Sequence, residues 1–174
     1  MAHPEVTLTG VERFFSEQEL IVSKTDTKGR ITYSNRTFRT LADYSEDALI
    51  GKPHNIIRHP EMPRCVFKLL WDTIGAGREI FAYVVNRSRN GDHYWVFAHV
   101  TPSSDTQGQI VGYHSNRRVP RRSAIDVVTP IYRQLLEIEA RHADQKAGIA
   151  ASLDAMVGLL KSKGVSYDQF IFSL

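Results

Sequence analysis

Two stretches, Glu79–Arg87 and His93–Pro102, are joined at Asn90-Gly91. An Asn-Gly pair readily takes the positive φ angles of a type I′ turn, whose twist matches that of paired strands. A long antiparallel hairpin follows, and the rest of the chain has to pack against it. Leu20–Thr25 and Arg30–Ser34 form a second strand pair across Asp26-Thr-Lys-Gly29, where Gly29 can adopt positive φ. A turn at Asp105–Gly108 leads to a fifth strand, Gln109–Asn116. Between the two hairpins, Arg36–Ala42 reads as a short helix. Ser45 is placed to cap a second one, stopped by Gly51 and Pro53. Val66, Leu69, Leu70 and Ile74 recur at helical spacing and predict a helix over about 64–73, closed by Gly75 and Gly77. The order β-β-α-α-α-β-β-β gives an α+β fold: a five-stranded antiparallel sheet with helices on one face.

The remainder reads as a C-terminal helical extension. Arg117-Arg-Val-Pro-Arg-Arg122 has the charge of a basic linker, and Thr129-Pro130 has the signature of a helix start. Ile131, Leu135, Ile138, His142, Gln145 and Ile149 follow spacings of four and three, as a coiled-coil seam does. Two outcomes fit: a homodimer through residues 124–163, or a helical hairpin folding near Gly148. Ser166 and Gln169 can form a capping box, and the apolar ending Phe170–Leu174 needs a surface to dock on. The expected division is an N-terminal cap at 1–19 containing the amphipathic Val11–Phe15, a sensory domain at 20–120, and the helical extension at 121–174.

Composition narrows the functional classes. A net charge of +3 spread along the chain gives no footprint for nucleic acid or a membrane surface. One cysteine, Cys65, excludes an internal disulfide framework and suits a cytoplasmic location. No apolar run approaches the roughly 20 residues of a membrane span, and Met1–Gly10 is not a signal peptide. With no nucleophile elbow, P-loop or paired-carboxylate signature, an enzyme is not expected.

The most residue-specific segments are Pro53-His-Asn-Ile-Ile-Arg-His-Pro-Glu-Met-Pro63 and Asn86-Arg-Ser-Arg-Asn-Gly-Asp-His-Tyr-Trp-Val96. Together they resemble the PAS domain of the bacterial aerotaxis receptors, over about residues 20–120. That resemblance implies a PAS fold and a non-covalently held FAD that reports redox or oxygen state. It also implies a signal passed by protein contact to a chemoreceptor, a histidine kinase or a second copy of the chain. Residue by residue, it carries cofactor-binding roles onto Asn35, Arg58, His59, Glu61, Trp71, Tyr83, Asn86 and Trp95. Arg58 could grip a phosphate or carbonyl oxygen with its planar fork, and His59 could donate to a ring edge. The tryptophans could wall a slot for the flat isoalloxazine.

The chain departs from that pattern at several positions. Glu61 stands where the family has Asp. Ile80 aligns with a family tryptophan, Phe81 and Ala82 with a small Ser-Gly pair, and Tyr83 with an aliphatic residue. The added bulk opens an alternative, a cofactor-free PAS adaptor whose pocket is filled by Ile80, Phe81 and Tyr83. The simplest role for Trp71 and Trp95 is core packing, and for Arg58 and His59 the tying of a loop. None of the seven histidines lies in the predicted 64–73 helix, which argues against haem, and their spacing argues against zinc. Cys65 lacks the sequence context of a photoreceptor's adduct-forming cysteine and reads as a small buried hydrophobe.

Overall fold

Five antiparallel strands form one sheet in the order β2-β1-β5-β4-β3. The computed structural model describes residues 6–174. The strands are β1 (Ile21–Thr25), β2 (Ile31–Ser34), β3 (Ile80–Arg87), β4 (His93–Ser104) and β5 (Ile110–Arg118). Between β2 and β3 run α1 (Arg36–Ala42), α2 (Glu46–Leu49), a 3₁₀ turn (His54–Ile57) and α3 (Arg64–Gly75). The helices α4 (Arg122–Ala140), α5 (Gln145–Ser162) and α6 (Tyr167–Phe172) complete the chain.

Local rules account for most of these limits. Asn35 caps α1 by accepting from the Phe38 N–H, and Asp43 ends that helix in the left-handed region at φ 59°. Ser166 and Gln169 form the expected capping box on α6. The core lies between the sheet and α1–α3, with Ile21, Ile31, Phe38, Leu49 and Tyr94 wholly inaccessible.

The C-terminal region departs from its sequence reading. Arg117 and Arg118 belong to β5 rather than to a linker. Helix α4 begins at Arg122, and Pro130 lies inside it on the exposed side. Proline lacks the N–H that would reach Asp126, and there the freed carbonyl faces water. The chain turns at residues 141–144, so α4 and α5 pack as a hairpin instead of a continuous seam. Val128, Tyr132, Leu135, Met156 and Leu160 are thereby buried within one chain. Of the seam expected from the sequence, Leu135 is buried, and Ile131 and Ile149 are partly buried against the core of the same chain.

These helices also close the open edge of the sheet. Strand β3 is an edge strand, and unpaired edge carbonyls invite association. The Tyr132 hydroxyl donates to the Tyr83 carbonyl at 2.6 Å and the Tyr167 hydroxyl to the Phe81 carbonyl at 2.9 Å. The apolar terminus docks beside them, with Ile171 buried and Phe172 against Phe81 and Phe97.

Of the N-terminal cap expected over 1–19, residues 1–5 lie outside the described residues. Val11–Phe15 is extended rather than helical, because its backbone is taken up by the hairpin: His93 N–H donates to the Val11 carbonyl and Arg13 N–H to that of His93. Phe15 packs on the core, while Val11 and Phe14 stay exposed. Asp92 holds the strap, accepting from Thr9 Oγ1 at 2.6 Å and from Arg13 Nε and Asn90 Nδ2 at 2.8 Å each.

The Thr9 hydroxyl above all, with the other donors, lowers the Asp92 pKa to about 2, against 3.8 for the free side chain. A lowered carboxylate pKa contributes stability that is present above the free value and lost as pH falls through the folded one. Protection of the amides of residues 9–13, taken relative to the intrinsic exchange rate at each pH, is expected to fall between about pH 4 and pH 2. In Asp92→Asn it should be low throughout. Strap protection that does not change over this range would contradict the assignment.

Candidate functional site

A cavity of about 450 Å³ lies between the inner face of the sheet and α3, within the roughly 300–1,000 Å³ usual for small-ligand sites. Ile57, Phe67, Leu70, Trp71, Ile74, Val84, Ala98 and Val100 give it apolar walls. Trp71 stands edge-on to Tyr113, with ring centroids 5.5 Å apart. Its ring lies so close to the β1–β2 turn that a Cβ on Gly29 would sit 2.8 Å from it. Gly29 therefore meets two demands at once, a φ of +75° and this approach.

A polar cluster is set into the sheet side. Arg117, 4% exposed, donates from Nη2 to Ser23 Oγ and to His54 Nε2, each at 2.7 Å. Beneath it the Phe38 ring faces the guanidinium at 5.3 Å and stacks on His54 at 5.9 Å. Burial, reinforced by the Arg117 charge, pushes His54 down to about 3, so it is neutral and its Nε2 can accept the hydrogen bond from Arg117. Burial likewise draws Arg117 down to about 10, which leaves it charged at neutral pH. Arg117 Nη1, Asn86 Nδ2 and Ser115 Oγ are buried without a hydrogen-bond partner, and all three residues line the cavity. Native interiors leave few such groups unmatched.

The charges of the lining have one sign. Lys28, Arg58, Arg64, Lys68 and Arg117 all contribute to it, and no Asp or Glu does among the described residues. Lys28 and Lys68 are exposed and Arg58 and Arg64 partly so, which makes them a basic rim around a buried floor. Arg58 lies over Phe67 at 5.9 Å. Its pKa is lowered, first by burial and then by the neighbouring Arg64. From the C-terminal hairpin, Gln145 and Ile149 of α5 also reach the lining.

The structure divides the residues singled out by sequence. Arg58, Trp71 and Asn86 come together in the cavity. Asn35 does not line it: its amide is occupied by Val22 N–H, the Leu20 carbonyl and the α1 cap. His59 is 4% exposed and lies behind the wall, its Nδ1 accepting from the Glu61 N–H and its ring against His93 at 5.6 Å. The Glu61 side chain is 75% exposed and outside the lining. Tyr83 and Trp95 lie on the other face of the sheet, where Trp95 stacks on Tyr132 and Tyr83 meets Phe97.

Phe81 is on that face too, stacked on His99 at 4.1 Å, because residues of odd number on β3 point away from the cavity that Val84 and Asn86 line. Ile80 packs with Leu70, Ile74, Val100 and Tyr113. The bulk of Phe81 and Tyr83 therefore does not fill the pocket. Sequence reasoning missed Ser23, His54, Ser115 and Arg117. The period-2 run Tyr113, Ser115, Arg117 was the available signal for half of them.

A sheet with strand order 2-1-5-4-3 around a polar-floored cavity has counterparts among known proteins. The family model described as "PAS fold" matches residues 31–117. The chain belongs to the PAS fold family. Within it, the chain is similar to the aerotaxis receptor of Escherichia coli (strain K12), 37% identical over 134 residues, covering 77% of this chain and 26% of the receptor. It is also similar to the nitrogen fixation regulatory protein of Klebsiella pneumoniae, 27% identical, covering 67% of this chain and 23% of that protein. The chain thus spans about a quarter of the length of these relatives.

Among solved structures, the dark state of the blue-light photoreceptor Aureochrome1 LOV matches with a TM-score of 0.55 at 25% identity, covering 69% of this chain and 86% of that one. A light-oxygen-voltage domain studied with a flavin analogue matches with a TM-score of 0.56 at 16% identity, covering 66% and 86%. This PAS protein is related to sensory and signalling proteins, and no helix among the described residues is long and apolar enough to cross a membrane.

Proposed function

We propose that this PAS domain is a redox-sensing module that holds a flavin nucleotide, FAD by its aerotaxis-receptor resemblance, non-covalently in the cavity. The observation that carries this reading is the buried, charged Arg117 beside unmatched Asn86 Nδ2 and Ser115 Oγ, with no carboxylate in the lining. An uncompensated charge in a low-dielectric site calls for an electron-rich partner. The carbonyl and ring-nitrogen edge of an isoalloxazine is such a partner, and its flat apolar faces suit walls of Ile57, Leu70, Trp71 and Ile74.

When bound, the flavin supplies a reducible ring whose charge and hydrogen bonding differ between its oxidised and reduced forms. Asn86, Ser115 and Arg117 would hold the ring edge, while neutral His54 and Ser23 keep the guanidinium in place. Arg58, Lys28, Arg64 and Lys68 would hold the phosphates at the rim. The photoreceptor neighbours and the aerotaxis receptor add weight to a sensory role. Signal output, in this reading, is a protein contact in the cytoplasm with a chemoreceptor, a histidine kinase or a second copy.

Titration of the full chain with FAD, FMN and riboflavin, followed by quenching of flavin fluorescence, tests the proposal. Saturable one-to-one binding of FAD, tighter than that of riboflavin, is expected. A protein that quenches none of the three would overturn it.

A further inference from the structure

The cavity is built by two parts of the chain. Helix α3 supplies Phe67, Leu70, Trp71 and Ile74, and α5 adds Gln145 and Ile149. Apolar side chains of both helices, Val66 and Met156 among them, share one buried cluster, and a polar junction adds to it. Helix α3 begins after Pro63, which offers no side-chain cap, so its first N–H groups need acceptors from elsewhere. Glu139 of α4 provides one: its Oε1 accepts from the Cys65 N–H at 3.0 Å and from Ser152 Oγ of α5 at 3.1 Å. Ser152 is wholly buried at that junction. Gly148 allows the close contact behind it, since a Cβ there would lie 2.8 Å from the Glu139 carbonyl. One carboxylate oxygen thus joins α3, α4 and α5 immediately behind the cavity wall.

We propose that α5 is part of the ligand site, with Gln145 and Ile149 as contact residues and Glu139 as the positioning residue that docks α5 on α3. This inference rests on the flavin reading of the cavity. Ligand that touches α5 binds better when α5 is docked, and by linkage its binding holds α5 in place by the same factor. Loss of ligand contact loosens the hairpin, which gives a change inside the domain a route to residues 141–174.

The test is hydrogen exchange over residues 145–153 of the full chain, with and without FAD, alongside FAD titration of Ile149→Ala, Glu139→Ala and Glu139→Gln. FAD is expected to slow exchange in α5. Ile149→Ala and Glu139→Ala should each weaken FAD by about tenfold, and Glu139→Ala should also speed α5 exchange. Glu139→Gln, which keeps an acceptor for Cys65 and Ser152, should restore both readouts. FAD binding with α5 exchange unchanged and wild-type affinity in Ile149→Ala would overturn the inference and leave the flavin site standing. Failure of the wild-type chain to bind FAD would remove both.

Discussion

Arg117→Met is expected to make the ligand-free protein more stable and at the same time unable to retain flavin. Arg117 is buried, charged and faces no carboxylate in the cavity, and one of its terminal nitrogens has no partner. Holding such a charge out of water is costly, and an apolar side chain of similar length removes that cost. Ser23 Oγ and His54 Nε2 are 3.2 Å apart, so they keep a hydrogen bond to each other once the guanidinium is gone. The gain should be about 2 kcal/mol, which raises the melting temperature of a chain this size by roughly 4–8 °C. Flavin affinity should fall by at least about tenfold, since a charged hydrogen bond contributes about 1.5–3 kcal/mol. Calorimetry and flavin titration on one preparation separate the two effects. A melting temperature that falls, with flavin binding intact, would make Arg117 a structural residue instead.

Phe38→Ala should have the largest destabilising effect of any single change near the cavity. Phe38 is wholly buried at the first turn of α1, stacks on His54 and lies under the Arg117 guanidinium. Truncation removes the packed ring and leaves a void beneath a charged group, at about 3–5 kcal/mol. A drop in melting temperature of roughly 10 °C follows, with weaker flavin binding because the polar floor loses its support. Chemical denaturation measures the first, and a change below about 1 kcal/mol would contradict the packing described.

Elements governed by local signals were legible in the sequence. The Asn90-Gly91 hairpin, the span of α1 and the Ser166–Gln169 capping box all depend on residues within a few positions of one another. Features decided by tertiary context were not. Arg117 heads a run of four arginines within six residues, which reads as a solvated linker until the inward alternation of Tyr113 and Ser115 is extended through it. Pro130 after Thr129 looks like a helix start, yet packing of Ala124, Ile125 and Val128 holds two earlier turns in the helix.

The cavity was legible in part, and the reason is geometric. Arg58 and Asn86 were found because they belong to long motifs, and Trp71 because it matches a family tryptophan, while His59 in the first motif and Asn35 outside both satisfy backbone groups nearby. Whether Phe81 and Tyr83 block or spare the pocket depends on strand parity, a single-residue distinction that a one-residue shift of register reverses. The contribution of Gln145 and Ile149 depends on the turn at 141–144 bringing α5 back over α3, which the sequence pattern left open between a seam and a hairpin.

The central claim is that the cavity holds a flavin nucleotide. An absorption spectrum of the full chain purified aerobically, repeated after reconstitution with FAD, tests it most directly. The expected result is a structured flavin band near 450 nm (the usual position for a bound oxidised flavin), stoichiometric with protein, bleached by dithionite and restored by air, with acid releasing an intact nucleotide. A colourless protein that takes up no FAD on reconstitution would contradict it.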